Sequence, residues 1–276
     1  MSGEASRGRR LEGRVALLTG AGGEIGRGIA LCLAEEGAVV ALADISLEGA
    51  GRCREEVEAI GGKAVALHLD VTDAASCEAA IGQTRSDLGG LDILVNNAGV
   101  IGGPDFKLGL PLSDISEADW DATYEVNVKG VFLLCRAALS GMVENKWGRI
   151  VNISSRAGRH GTEAIPHYSA SKAAVINFTQ ALAREAARHG ITANAVCPGL
   201  IWTPMWEKLA PLYGQKIPRL EGMTPRQVFD YFVDSTPLKR EQTPEDIGRV
   251  AAFLASEDAR TITGQALLVD SGAVMH

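Results

Sequence analysis

Seven short apolar runs recur along the chain, and each gives way to a stretch with apolar residues at three- and four-residue spacing. The runs are VALLTG (15–20), AVVALAD (38–44), KAVALHLD (63–70), LDILVNNAG (91–99), GRIVNISS (148–155), ITANAVCPG (191–199) and QALLVDSG (265–272). Between them, segments 24–36, 47–60, 74–88, 117–143, 167–189 and 244–256 carry the helical period. Strands apolar on both faces, alternating with helices, predict an α/β fold with a parallel sheet covered on both sides. A chain of 276 residues at about 150 per domain allows two domains. The unbroken alternation instead predicts one doubly wound domain over 12–276, preceded by a flexible tail over 1–11. Residues 200–243 break the rhythm, with five prolines, two Trp, two Tyr and no strand pattern. An insertion after a strand's C-terminal end lies where open α/β sheets bind ligands. It reads as a substrate lid, with a surface decoration as the alternative.

Charge narrows the ligand. Lys plus Arg is 27 against 34 Asp plus Glu, a formal net charge of −7. Nucleic acid is therefore not expected as a partner, because neutralising phosphates needs a basic face. No run reads as a membrane span, and MSGEASRGRRLEGR has no apolar core of a secretory signal. Five widely spaced cysteines without CxxC, and five histidines without HxxxH, predict no metal site and a reducing, cytoplasmic setting.

Glycine is 32 of 276 residues, about 12% against a usual ~7%. Several sit in one turn, Thr19-Gly20-Ala21-Gly22-Gly23-Glu24-Ile25-Gly26, between the first strand and its helix. Glycines let backbone approach a ligand, and a helix N-terminus offers free N–H groups to a pyrophosphate. The second strand ends at Asp44, about 18 residues past Gly26 and near the ~20 expected of an acid that grips an adenosine ribose. Its carboxylate would repel a 2′-phosphate. Ile45 and Ser46 follow, and no Lys or Arg lies in 20–26, so NAD is expected rather than NADP. An aspartate that merely caps the next helix is the alternative.

Tyr168 and Lys172 stand four residues apart at the start of a helical segment, which puts hydroxyl and ammonium on one face. A phenol of pKa about 10 needs roughly 4 kcal/mol of phenolate stabilisation to act as a base near neutrality. A buried ammonium and a nearby oxidised nicotinamide would supply it. By itself, a surface pair has the same spacing.

With these motifs in order over about 12–272, the sequence resembles the short-chain dehydrogenase/reductase family, a Rossmann-type fold. The family's TGxxxGxG corresponds to residues 19–26, with Glu24 in place of its middle glycine. Its adenine contact corresponds to Asp70-Val71, its NNAG to Asn96-Asn97-Ala98-Gly99, and its PGxxxT to Pro198-Gly199 through Thr203. The resemblance implies a catalytic set of Asn127, Ser155, Tyr168 and Lys172. Tyr168 would be the acid/base, and Lys172 would lower its pKa and hold the ribose. Ser155 would bind the substrate oxygen, and Asn127 would position a water. Ser155 is preferred to Ser154 because it stands 13 residues before Tyr168, as in the family. The implied cofactor contacts are Gly20, Gly23, Glu24, Ile25, Gly26, Asp44, Ile45, Asp70, Val71, Asn97, Ala98, Gly99, Tyr168, Lys172, Pro198, Gly199, Ile201 and Thr203. The Glu24 side chain is expected to point outward and to weaken cofactor binding without abolishing it.

The substrate pocket is expected from Ser155, Ala157, His160, Glu163 and Trp206. Met205-Trp206-Glu207 looks like the acetoin/butanediol and polyol dehydrogenase branches. Trp206 would wall a small pocket, or else only pack the lid. The resemblance thus implies an NAD-dependent enzyme interconverting a small secondary alcohol, polyol or hydroxyketone with its carbonyl form, as a homotetramer. A 3-oxoacyl-carrier-protein reductase and a hydroxysteroid dehydrogenase are alternatives. A dinucleotide-sensing regulator without turnover is a third, opposed by the complete Tyr/Lys set.

Overall fold

The computed structural model describes residues 9–103 and 106–275. Each apolar run becomes a strand: β1 Val15–Thr19, β2 Val39–Asp44, β3 Lys63–His68, β4 Ile93–Asn96, β5 Gly148–Ile153, β6 Ile191–Pro198 and β7 Ala266–Val269. They form one sheet in the order β3-β2-β1-β4-β5-β6-β7, and all six pairings are parallel. The order reverses between β1 and β4, so a crevice opens beyond the carboxyl ends of those two strands.

The helices are α1 Glu24–Glu35, α2 Leu47–Ala59, α3 Ala74–Leu88, α4 Glu117–Tyr124, α5 Gly130–Asn145, α6 Pro166–Ala186, α7 Pro204–Lys216, α8 Pro225–Asp234 and α9 Pro244–Ala255. Local chemistry sets many of their ends. Asp73 accepts from the amides of Ala75 and Ser76 to start α3, which Gly89 stops at φ 82°. Thr243 and Asp246 form a capping box at α9. Two apolar cores result, one under each face of the sheet. α1 and α9 cover the first, and α3, α5 and α6 the second. α1 crosses α9 through glycines: a Cβ at Gly28 would stand 2.4 Å from the Pro244 side chain, and one at Gly248 2.5 Å from the Gly28 carbonyl.

Three expectations need correction. Residues 1–8 of the expected tail lie outside the described residues, but Leu11 is in the core, with its amide on the Glu36 carbonyl at 2.8 Å. The packed chain therefore begins before residue 12. Segment 117–143 is not one regular helix: a π-helical turn, Glu125–Lys129, interrupts it at Asn127. The run Glu117–Asn145 is also long and apolar enough to cross a membrane, contrary to the sequence reading. In this fold its apolar residues Val131, Leu134, Ala138 and Met142 pack into the core beneath the sheet.

Residues 200–243 fold on themselves. Pro204 and Pro225 each open a helix, where the missing N–H costs nothing. α7 and α8 then close over an aromatic cluster of Trp202, Trp206, Tyr213, Phe229 and Phe232.

Candidate active site

At the crevice, side chains pin the glycine turn from two sides. The Thr19 hydroxyl accepts from the amides of Asn97 (3.0 Å) and Ala98 (3.1 Å), and the Asn97 side-chain amide donates to the carbonyls of Thr19 and Gly20. Gly20 has φ 65°, and a Cβ there would lie 2.9 Å from the Ala98 Cα. A Cβ at Gly26 would fall 2.1 Å from the Gly20 carbonyl oxygen, so no side chain fits. Gly23 caps α1 with no side-chain hydrogen bond, which leaves the first amides of the helix facing the cleft. Glu24 is exposed on the first turn and borders the cleft.

Asp44 does more than the sequence implied. One carboxylate oxygen accepts from the Gly22 amide (2.9 Å) and the other from Ser46 (2.8 Å). It thus braces the turn while facing the same cleft. That cleft encloses about 690 Å³. Gly20, Gly23, Glu24, Ile25, Gly26, Asp44, Ile45, Asp70, Val71, Asn97, Ala98, Gly99 and Thr203 line it, as expected. The Asp70 carboxylate accepts from the amide and hydroxyl of Thr72, which hold its pKa below the usual value. Arg52 also lines the cleft and was missed. It sits on α2 one turn after Gly49, which also lines the cleft, and is paired to Glu48. A glycine cradle, free helix amides and a strand-end carboxylate together fit a dinucleotide.

The cleft meets a second cavity of about 200 Å³, and the two share Ile25, Asn97, Gly99, Val100 and Thr203. Ser155, Tyr168 and Lys172 lie in the wall of the second, with Pro198, Gly199 and Ile201. Ser154 is committed elsewhere, its hydroxyl donating to the Lys172 carbonyl at 2.8 Å. Ser155 caps the next turn, accepting from the Ala157 amide, and its hydroxyl stands beside the Tyr168 phenol. The Lys172 ammonium is buried and donates to the Ile153 carbonyl at 2.9 Å. Burial lowers its pKa to about 8. Burial raises Tyr168 to about 12, with Ser155 pulling the other way. The protein alone therefore holds the phenol protonated, and the expected lowering requires a further positive charge beside it.

Asn127 lies behind this group at the π-helical turn. Its side chain accepts from the Val100 amide (2.8 Å) and donates to the Val100 carbonyl (2.8 Å) and the Ser171 hydroxyl (3.0 Å). Those bonds tie the loop after β4 to α6. A Cβ at Gly99 would stand 3.1 Å from the Lys172 Nζ and 3.2 Å from the Asn127 Oδ1, so the glycine leaves room for the group.

Of the expected substrate residues, Ser155, Ala157 and Trp206 line the second cavity. Trp206 also packs on Tyr213 and Phe229, so wall and lid packing are one role. The side chain of Met205 lies outside the described residues. His160 and Glu163 are exposed and absent from the wall, although Thr162 between them lines it. Thr162, Ile165, Arg156, Leu209 and Tyr213 occupy the wall instead. Thr162 and Ile165 lie in the stretch before Tyr168, Leu209 and Tyr213 lie in the segment read as the lid, and Arg156 stands next to Ser155. Among the described residues, no cluster of three or more His, Cys, Asp or Glu is arranged to hold a metal ion.

Residues 20–274 match the family described as enoyl-(acyl carrier protein) reductase. A galactitol 2-dehydrogenase of Agrobacterium fabrum is 38% identical over 264 residues, 95% of this chain and 98% of that one. A 3-oxoacyl-[acyl-carrier-protein] reductase of Thermotoga maritima is 37% identical over 266 residues, 96% and 100% of the two chains. The crystal structure of an NAD+-bound xylitol dehydrogenase superposes with TM-score 0.86 at 32% identity, covering 95% of this chain and 100% of that one.

Proposed function

The chain belongs to the short-chain dehydrogenase/reductase family and is an alcohol dehydrogenase/carbonyl reductase of that family, and from that premise we propose that it is NAD-dependent and acts on a small secondary alcohol, polyol or hydroxyketone. The observation that carries this reading is the seam itself. Ser155, Tyr168 and Lys172 stand where a dinucleotide cleft meets a cavity of only about 200 Å³, below the ~300–1,000 Å³ of drug-sized ligand sites. Its small volume opposes the steroid alternative. Asp44 and the overall −7 charge oppose the carrier-protein alternative. The names of the galactitol and xylitol enzymes support a polyol-like substrate.

When bound, the nicotinamide supplies the hydride acceptor or donor. The chain's own residues handle the proton and the charge. Ser155 donates a hydrogen bond to the substrate oxygen, where negative charge grows during the reaction. Tyr168 takes the hydroxyl proton at its phenol oxygen in oxidation and returns it in reduction. Lys172, held on the Ile153 carbonyl, keeps an ammonium near the phenol. Asn127 acts by holding Val100 and α6 in place. Residues 200–243 close the substrate side as a lid.

Two further parts of the reading are assembly and compartment. Trp120 and Phe132 remain exposed on the α4–α5 face and Phe132 packs on Phe178 of α6, which supports a homotetramer joined through these helices. Five free, buried cysteines support a reducing cytoplasm.

The test is steady-state kinetics on Tyr168→Phe. Turnover is expected to fall about 10³-fold, while NAD binding by titration changes less than about threefold; a fully active variant removes the mechanism. Equal kcat/KM with NADP and NAD would remove Asp44's selecting role.

A further inference from the structure

One charge in the substrate cavity has no part in the proton chemistry. Arg156 follows Ser155 directly and lines the same cavity as Ser155, Tyr168, Trp206, Leu209 and Tyr213, with its charge felt at the Tyr213 phenol. It is half-buried, and among the described residues its guanidinium makes no hydrogen bond and no ion pair. The other enclosed arginine shows what a structural guanidinium looks like here. Arg149 is held by Glu257 at 3.0 Å and by the carbonyls of Gly148 and Gly190.

The surroundings of Arg156 do not cancel its charge. Burial pulls its pKa below the usual guanidinium value and outweighs the upward pull of Tyr213 and Asp270. Asp270 is already taken by the amides of Gly272 and Val274. An arginine stays protonated in any protein. A cation drawn from water without a partner is costly, and the cost is offset when an anion pairs with it. The fork of guanidinium N–H donors matches a carboxylate in two parallel hydrogen bonds.

We propose that Arg156 is a specificity-determining residue that binds a carboxylate on the substrate, which narrows the small secondary alcohols of the proposed function to a short hydroxycarboxylate, or the matching oxocarboxylate. This rests on the reading of Ser155 and Tyr168 as the site of alcohol oxidation. Size agrees: about 200 Å³ is the share of roughly seven waters at ~30 Å³ each. A four-carbon hydroxycarboxylate has about as many heavy atoms. Arg156 adjoins Ser155 in sequence, so one rigid turn sets both the oxygen-binding and the carboxylate-binding group.

The experiment compares 2-hydroxybutyrate and 3-hydroxybutyrate with the neutral 2,3-butanediol, using NAD and initial rates, in the wild type, Arg156→Gln and Arg156→Lys. The wild type should favour one hydroxybutyrate over the diol by about 30-fold or more in kcat/KM. Arg156→Gln should collapse that ratio by about 30- to 100-fold, mainly through KM, equivalent to roughly 2–3 kcal/mol at about 1.4 per tenfold. Arg156→Lys should recover part of it, since a point charge replaces the fork. Acetoacetate should bind the NADH complex of the wild type, and Arg156→Gln should weaken that binding by a similar factor. If Arg156→Gln does not fold, the intermediate ratio of Arg156→Lys carries the test. A wild type that oxidises the diol as well as both acids overturns the proposal, as does a ratio unmoved in both variants. Failure of the underlying reading looks different: no alcohol, charged or neutral, would then reduce NAD in a Tyr168-dependent way.

Discussion

The two ends of the site are made of different material. The nucleotide end is mostly backbone: the ends of β1, β2 and β4, glycines that no Cβ could replace, and the free amides of α1. The substrate end is mostly side chain: Trp206, Leu209 and Tyr213, held by the packing of α7 on α8. Backbone geometry is set by strand register and φ, and it tolerates little variation. A side-chain wall is re-shaped by substituting one residue. The cofactor site is therefore stiff, while the substrate site is where single substitutions can change what binds.

Gly26→Val should break the first end most severely. Its side chain would land on the Gly20 carbonyl, so we expect a loss of about 1–3 kcal/mol in stability and more than about 100-fold in NAD affinity. Thermal unfolding and titration with NAD would measure both; normal binding would show that the cradle is not built as described.

Lys172→Met tests the seam. In the fold its ammonium has a pKa of about 8 against the ordinary 10.5. Between those values the unfolded chain binds more protons, so wild-type stability should rise as pH climbs from about 8 towards 10.5. The full cost of burying the charge is present below pH 8. The variant should lose that slope, gain about 1–2 kcal/mol at neutral pH, and lose turnover by at least about 100-fold. Denaturant unfolding at a series of pH values reads the slope.

A smaller effect is expected at the other end. Trp206→Leu should open the wall, raise KM for a small alcohol about five- to tenfold and admit bulkier ones, with NAD affinity within about twofold of wild type. A matching loss of NAD binding would join the two ends into one unit. Smallest of all, Glu24→Gly removes an exposed carboxylate from the first turn of α1, beside the cleft. NAD should bind about two- to fivefold tighter, and the gain should shrink as salt screens the charge.

Much of this was legible in the residues. The alternation of apolar runs and helical segments anticipated all seven strands, and the glycine turn with Asp44 anticipated the cleft. The interval to Tyr168 picked out Ser155, and the structure shows why Ser154 is unavailable: its hydroxyl is bound to α6. Other features were not legible. His160 and Glu163 lie near Ser155 in sequence but are exposed, while Thr162 between them and Ile165 line the cavity. The bracing of Gly22 by Asp44 joins residues far apart in sequence through the pairing of β1 with β2.

Sequence alone determined the order of elements, the glycine turn and the placing of Tyr168 and Lys172 on one helical face, because period, turn conformation and helical spacing are local properties. Tertiary structure decided the size of the substrate cavity, the raised phenol and lowered ammonium, and the placing of Arg156 beside Tyr213. Those depend on how α6, α7 and α8 pack over the sheet, and on how far that packing excludes water from charged groups.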